Sequence, residues 1–352
     1  MKIQKFSQQG KRNNNEDSYG ICDGLFTVCD GMGGHNNGER ASSFVVEQMI
    51  QSFAEPQPLD KIEIQQKLTK VQSDLNGLLV EEPELENMGT TFTGVFRTSD
   101  VCYAAHIGDS RIYLFCPSEN KLWHTWDHSF VGELMHTHEI TLEAGRFHPM
   151  SNRISKAIIA RKDGKPSSAS IVRIDALKEG DVLLLCSDGV TEAWGDWDLV
   201  KLFSNNKKSF EQKYKELAKQ CEENSSDNNT AILIEIEKED EFCYGENEEL
   251  EWTSFDEIEA DYRQYLKDNG DENVEMRTEE AQASQIEEKT DSKPLQKHKS
   301  YGIWLLLIGI IVVIILAFSY RPINSGKVIV NKHRTDTVEQ FCTKTTKESM
   351  CP

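Results

Sequence analysis

The residues best suited to chemistry in this 352-residue chain are acids that stand at the ends of short apolar runs. The first run, FTVCDGMGGHNNGE at residues 26–39, reaches Asp30 and then turns through three closely spaced glycines, beginning with Gly31. Glycines let the backbone approach an ion beside the carboxylate. A tight turn in which Asp30 caps the following helix would give the same pattern, so this stretch alone does not distinguish a metal site from a turn.

The same pattern recurs elsewhere in the chain, which favours a metal site. The apolar run of residues 101–110 ends at Asp109, the run of residues 182–189 contains Asp188, and the strand predicted from Thr230 to Ile236 follows Asp227. The polar segment Gly10–Gly20 holds Arg12, Glu16 and Asp17, and could pair with the strand that ends at Asp30. Acids that converge at one point repel each other unless cations neutralise them. The cluster therefore predicts bound metal.

Carboxylate oxygens suit Mg²⁺ or Mn²⁺, and the nine cysteines show no spacing typical of a zinc site. We interpret His136 and His138 as surface residues, because no third nitrogen or sulfur ligand stands at a suitable spacing. Two ions about 3.5–4 Å apart can activate a water and clamp a phosphoryl group, and the guanidinium of Arg12 suits phosphate oxygens. No nucleotide-binding glycine motif and no GxSxG nucleophile motif is present.

The elements that must position these acids alternate in type along the first 240 residues. Consecutive strands separated by short turns predict antiparallel sheets, and apolar residues at helical spacing predict long helices at Glu39–Phe53 and Ile62–Leu79. Further helices are predicted at Trp197–Phe203 and Phe210–Cys221, and residues 123–149 are expected to form loop and short helix near the site. The fold class is therefore α+β.

The net charge of −20 makes nonspecific nucleic-acid binding an unsuitable function. Most of the negative charge lies in Glu237–Ser292, where 21 acidic and five basic residues occur. We predict an acidic, mostly disordered linker at residues 238–300. Within it, apolar residues at helical spacing predict an amphipathic helix at residues 252–266, which either docks on the catalytic domain or a partner or forms only transiently.

Residues 301–320 contain no charged side chain, and a helix of this length covers about 30 Å, the thickness of a bilayer core. We predict one transmembrane helix here. Positive charges flank it equally on both sides, so they do not set its orientation. The N-terminal segment has no apolar region typical of a signal peptide. We therefore expect residues 321–352 to form a short extracytoplasmic tail, with the catalytic domain on the cytoplasmic side of the cell membrane.

Seven motifs together resemble the metal-dependent serine/threonine protein phosphatases of type 2C, and specifically their bacterial branch. The resemblance covers residues 1–237, which we take as the catalytic domain. The motifs are NNED at residues 14–17, CDGMGGHNNGE at 29–39, GTTFTGV at 89–95, HIGDSRIY at 106–113, WDHS at 126–129, CSDGVTE at 186–192 and DNNT at 227–230.

This resemblance implies a central antiparallel β-sandwich flanked by helices, with two Mg²⁺ or Mn²⁺ ions, or three, at one end. It implies that Asp30 bridges two ions, that Gly31 contributes its carbonyl, and that Asp188 and Asp227 are direct ligands. Glu16 and Asp17 would hold waters on the metals, Arg12 would bind phosphate, and Asp109 would join Asp188 at a third ion.

Two further regions follow from the resemblance. Residues 131–149 would form a variable flap over the substrate. Many family members carry a histidine, a proposed general acid, directly after the Asp-Gly pair, but this chain has Met32 there. The leaving group must then be protonated by a metal-bound water or by another residue, and we interpret the nearby His35 as structural.

The function expected from these residues is hydrolysis of phosphoserine and phosphothreonine in proteins that a serine/threonine kinase has modified. A degenerate phosphatase that only binds phosphoproteins is the alternative, although the intact set Asp30, Asp188 and Asp227 weighs against it. A two-metal hydrolase of small phosphates is a third interpretation, which substrate competition would distinguish.

Overall fold

The computed structural model describes residues 1–33, 37–53, 59–162, 164–243 and 250–270. His35, the predicted transmembrane helix at residues 301–320 and the tail at residues 321–352 lie outside the described residues. Among the helices that are described, none is long and apolar enough to cross a membrane.

Two antiparallel sheets form the centre of the domain. The first contains six strands in the spatial order β1-β13-β12-β7-β8-β15. Their bounds are Lys2–Gln8 for β1, Asn229–Glu235 for β13, Val182–Cys186 for β12, Arg111–Cys116 for β7, Lys121–His124 for β8 and Thr253–Ser254 for β15.

The second sheet contains seven strands, six of them in the order β10-β6-β5-β3-β4-β9, and β2 also pairs with β3. Their bounds are Asp17–Cys22 for β2, Leu25–Met32 for β3, Gly89–Thr90 for β4, Phe92–Arg97 for β5, Cys102–Ile107 for β6, Ile158–Ile159 for β9 and Ser170–Ile174 for β10. A further short pair joins β11 (Ala176–Leu177) to β14 (Phe242–Cys243).

The described residues form eight α-helices, six of which pack in the apolar clusters on the outer faces of the sheets. Their bounds are Asn37–Ser52 for α1, Lys61–Gly77 for α2, Phe130–His136 for α3, Leu142–Arg146 for α4, Asp188–Ala193 for α5, Asp196–Ser204 for α6, Phe210–Asn224 for α7 and Phe255–Asp268 for α8.

Strand β12 shows why the sheets stack with helices outside. Its side chains alternate between two apolar clusters: Leu183 and Leu185 pack between the sheets, whereas Leu184 packs outward against helices α5, α6, α7 and α8. Side chains of neighbouring strand residues point to opposite faces, so an uninterrupted apolar strand must be covered on both. The predicted α+β fold with antiparallel sheets is confirmed.

The predicted disordered linker needs a correction. Strand β14 pairs with β11, strand β15 pairs with β8, and helix α8 buries Phe255 and Ile258 in the same apolar cluster as the outer face of the first sheet. The predicted helix at residues 252–266 begins later, at Phe255, because Ser254 caps it and forms a capping box with Glu257. Residues 238–243 and 250–270 are thus folded against the domain.

The segment expected to be loop and short helix is more regular than its composition indicated. Strand β8 reaches His124 within it, and helices α3 and α4 follow. Apolar periodicity was weak here because the helices are short and half-exposed. Each is capped by a hydroxyl side chain, Ser129 for α3 and Thr141 for α4.

Candidate metal centre

The hairpin of β2 and β3 brings the first group of predicted site residues together. Asp17 lies directly opposite Asp30 in the strand register, and the Gly31 amide donates to the Glu16 carbonyl at 3.1 Å. A side chain at Gly31 has no room, because a Cβ there would lie 2.1 Å from the Gly38 carbonyl oxygen. Only glycine permits this close packing of β3 against helix α1.

The second group comes from neighbouring strands of the first sheet. Asp188 follows β12, Asp227 precedes β13, and the antiparallel pairing of these strands puts both acids at the same sheet edge. The Thr230 amide donates to Ser187 Oγ at 2.9 Å, and this hydrogen bond holds the end of β12 against the start of β13. Arg12 forms an ion pair with Asp227, so its guanidinium lies beside the predicted ligands.

Neutral side chains link the two groups. Ser187 Oγ, next to Asp188, donates to Asp17 Oδ2 at 2.7 Å. Asn228, next to Asp227, accepts the Glu16 amide at 2.8 Å through its Oδ1. Hydrogen bonds from neutral protein groups therefore connect the acidic residues of the two sheets.

Asp109 lies in the connection from β6 to β7, where the chain crosses from the second sheet to the first. Thr91 Oγ1 accepts the Asp30 amide at 2.9 Å and is hydrogen-bonded to Ser110 Oγ at 2.7 Å. The crossing turns at Gly108, which has φ of +110°. Asp109 is thereby held next to the strand that carries Asp30.

The buried carboxyls of the cluster have raised pKa values. Burial, followed by repulsion from neighbouring carboxylates, raises the pKa of Asp17 to about 7 and that of Asp188 to about 6. The same causes raise the pKa of Asp30 and of Asp109 well above the ordinary value. Asp17 Oδ1 and Asp188 Oδ1 are buried and have no hydrogen-bond partner among the described residues.

These observations fit Mg²⁺ or Mn²⁺. The donor set consists of oxygens, two of them without a partner in the described part of the chain, and the raised pKa values would return to the ordinary range beside a cation. In the described ranges, three acids with oxygens all within 4.8 Å of one another occur at Glu237, Glu239 and Asp240 and not in this cluster.

The Glu237, Glu239 and Asp240 group has a different explanation. The N-terminal ammonium of Met1 lies 3.0 Å from Glu237 and also pairs with Asp240, and Arg97 lies 3.6 Å from Asp240. Protein cations already balance these acids, so we interpret the group as a surface ion network.

A cavity of about 330 Å³ opens beside the acids. Arg12, Asp109, Asp188 and Asp227 are among the residues that line it. The segment predicted as a flap also contributes to the lining, through Val131, Met135, Gly145, Arg146 and Phe147. Outside the cavity, His136 is exposed and lies 2.9 Å from Glu251, so in this structure it is a surface residue.

Sequence reasoning missed a buried charge network at the cavity wall. Arg111 makes two hydrogen bonds to Asp127, of 2.7 and 2.8 Å, and donates to Tyr113 Oη at 3.0 Å. Tyr113 donates in turn to Asp196 at 3.0 Å. Arg111 and Asp127 lie within two of the resemblance motifs, but nothing in the sequence showed that the motifs meet.

Glu192 is a second residue that was missed. Its carboxylate accepts the amides of Ser226 and Asp227 at 2.9 and 3.1 Å and the hydroxyl of Ser225 at 3.0 Å. These hydrogen bonds lower its pKa despite the opposing effect of burial. Glu192 thus fixes the loop that carries Asp227.

An antiparallel sandwich with oxygen ligands and an arginine at one edge defines a divalent-metal hydrolase of phosphate substrates. The protein phosphatase 2C family model matches residues 7–234. The serine/threonine phosphatase stp of Listeria innocua is 30% identical over 236 residues, which cover 64% of this chain and 91% of that protein.

Solved structures of bacterial serine/threonine phosphatases are also similar to this chain. The serine/threonine phosphatase PstP/Ppp of Mycobacterium tuberculosis is similar with a TM-score of 0.60 and 28% identity, over 67% of this chain and 98% of that one. Stp1 of Staphylococcus aureus is similar with a TM-score of 0.58 and 31% identity, over 67% and 94%. A structure of the PstP catalytic domain, with a TM-score of 0.57 and 27% identity over 67% of this chain and 98% of that one, holds two manganese ions.

The chain belongs to the protein phosphatase 2C family. Its cofactor is accordingly Mg²⁺ or Mn²⁺, as the oxygen donors of the cluster also indicate.

Proposed function

We propose that this protein removes phosphate from phosphoserine and phosphothreonine of other proteins. The observation that carries the proposal is the oxygen-only cluster, which draws acids from both sheets and places them beside Arg12 at the edge of a cavity. The relatives named above as serine/threonine phosphatases support the choice of substrate.

We assign the metal ligands as follows. Asp30 would be shared by two ions, Gly31 would contribute its backbone carbonyl, and Asp188 and Asp227 would be direct ligands. Asp109 would join Asp188 at a third ion, and Glu16 and Asp17 would act through waters. Metals held there would supply a water for in-line attack on phosphorus and positive charge beside the phosphoryl oxygens.

The protein itself positions the substrate. Arg12 lies at the mouth of the cavity with its side chain 58% exposed, so its guanidinium can exchange the carboxylate of Asp227 for two phosphate oxygens. Met32 has no ionisable group, so we propose that protonation of the leaving oxygen comes from another group at the site.

The test is phosphate release from a phosphothreonine peptide by the full chain, with Mn²⁺, with Mg²⁺ and with chelator. We expect metal-dependent release that Asp188→Asn abolishes, because an amide is a poor ligand and leaves charge on the remaining acids unbalanced. Asp23→Asn, in the exposed turn of the same hairpin that carries Asp30, is the matched control and should retain activity.

Two outcomes would redirect the proposal. Binding of phosphopeptide without release, by a folded and metal-loaded protein, would favour a phosphoprotein-binding module. Release that a small aryl phosphate competes away at equal concentration would favour a hydrolase of small phosphates.

We further propose that the catalytic domain is tethered to the cytoplasmic face of the cell membrane by one helix at residues 301–320. The support is the absence of charge over these 20 residues. Substrates would then be proteins that a serine/threonine kinase phosphorylates near the membrane. Extraction of the full chain by alkaline carbonate would contradict the tether, and digestion of the catalytic domain by protease added to intact cells would contradict its orientation.

A further inference from the structure

Helix α8 lies outside residues 7–234, the range that the family model matches, yet it is fixed firmly to the domain. Phe255 and Ile258 are 5% and 3% exposed and pack in the cluster that covers the first sheet. Strand β15 extends that sheet by pairing with β8, and the Phe255 amide donates to the Asn120 carbonyl at 3.0 Å. Strand β15 and the start of helix α8 are thus anchored in the domain.

The second half of α8 contacts the flap, residues 131–149. Asp261 Oδ2 accepts the amide of Leu142 at 2.9 Å. Leu142 is the first residue of α4, where backbone amides have no partner within the helix. Tyr265, one turn further along α8, stacks on Phe147 with ring centroids 6.2 Å apart.

Helix α4 carries this support to the substrate cavity. At its last residue, Arg146 donates to the Glu192 carbonyl at 2.8 Å, and Glu192 holds the loop of Asp227. Arg146 and Phe147 both line the cavity. A single short helix therefore connects Asp261 to the lining of the cavity that also contains the predicted metal ligands.

Helix α4 is also held by side-chain contacts. Leu142 packs against the cluster that covers the first sheet, Gly145 fits against Met135 of α3, and Glu143 lies against Gly195 at the start of α6. None of these contacts satisfies the backbone amide of Leu142, which Asp261 does. A helix of five residues has little stability of its own, so support at its first amide matters.

We propose that Asp261 of helix α8 is a positioning residue for substrate binding, which holds α4 so that Arg146 and Phe147 face a phosphopeptide. The inference rests on the phosphatase activity proposed above. A peptide that lies in the cavity must pass Phe147, which is 59% exposed, whereas a small aryl phosphate needs only the metals and Arg12. Loss of the support should affect the first substrate and spare the second.

The experiment compares three variants of the full chain. Asp261→Ala removes the acceptor, Asp261→Asn keeps a carbonyl oxygen that can accept the Leu142 amide, and Asp268→Ala is the control at the exposed end of the same helix. Each is assayed with a phosphothreonine peptide and with p-nitrophenyl phosphate at saturating Mn²⁺. Hydrogen exchange of the α4 amides is measured on the same samples.

For Asp261→Ala we expect the peptide KM to rise about fivefold, the factor that one lost hydrogen bond gives. The kcat/KM for p-nitrophenyl phosphate should stay within about twofold of the wild-type value, since its binding does not involve α4. The α4 amides should exchange faster. Asp261→Asn should restore both readouts, and Asp268→Ala should change neither.

Equal losses on both substrates, or an unchanged peptide KM with faster exchange, would overturn the proposal, because either result gives Asp261 a merely structural role. Unchanged exchange in Asp261→Ala would overturn it independently of any activity. A wild-type protein that binds but does not hydrolyse the peptide would contradict the proposed function instead. Hydrogen exchange of the α4 amides would still test whether Asp261 holds α4.

Discussion

The buried carboxyl of Asp17 should make the stability of the metal-free protein depend on pH. Its side chain is 7% exposed, and burial raises its pKa to about 7 from an ordinary value of 3.8. The unfolded chain therefore releases this proton near pH 4, while the folded protein keeps it until near pH 7. Stability is fully present below the lower pKa and is lost as pH rises towards the upper one.

The size of the effect follows from the two pKa values. Each pKa unit between the two states corresponds to about 1.4 kcal/mol. The interval from pH 5 to pH 7 lies between the two pKa values. Over this interval the contribution of Asp17 to the free energy of unfolding should fall by about 2 kcal/mol. Asp17→Asn cannot ionise and keeps an oxygen that can accept from Ser187, so it should lack this contribution.

The assay is urea unfolding of the full chain, followed by tryptophan fluorescence, at pH 5 and pH 7 in chelator. The stability of wild type minus that of Asp17→Asn should fall by about 2 kcal/mol as pH rises. Saturating Mn²⁺ should remove or reverse the fall, because metal binding favours the ionised acid. Asp23→Asn, exposed in the same hairpin, should follow wild type.

A constant difference between wild type and Asp17→Asn across pH 5 to 7 would refute the reasoning. It would mean that Asp17 is already ionised in the folded protein without metal. Burial and repulsion from the neighbouring carboxylates would then be too weak to raise the pKa of Asp17 as inferred.

Three other substitutions test the fold, two of them at the site and one away from it. Gly31→Ala should prevent stable folding or metal binding, checked by circular dichroism and Mn²⁺ titration, because its Cβ would lie 2.1 Å from a backbone oxygen. Tyr113→Phe should lower the free energy of unfolding by about 1–3 kcal/mol in urea, because Asp196 loses a buried hydrogen-bond donor and Arg111 an acceptor. Asp60→Ala should cost about 1 kcal/mol in the same assay without changing kcat, because it removes the cap of α2, away from the site.

Strands and their acids were predictable because the signals are local. Strand β12 is apolar at every position, and Asp188 comes two residues after its end, so the sequence indicated both the strand and the acid. The pairing of Asp17 with Asp30 was also accessible, since a tight turn joins β2 and β3. Neither inference needed contacts between distant parts of the chain.

The contacts that support the flap could not be predicted, because they join residues far apart in the sequence. Helix α4 has five residues and little periodicity, and the hydrogen bond at its first amide comes from Asp261, 119 residues later. Strand β15, at two residues, is too short to give a pattern. The apolar spacing of α8 predicted a helix, but only the packing of Phe255 and Ile258 shows which surface it covers.

Hydrogen bonds from neutral side chains hold the acids of the site close together. Carboxylates at close quarters repel one another. Thr91 and Ser110 join the strands of Asp30 and Asp109, and Ser187 and Asn228 join the two sheets. These contacts oppose the repulsion with groups that carry no charge, so they bring the acids together without a positive side chain that would take the place of a bound cation.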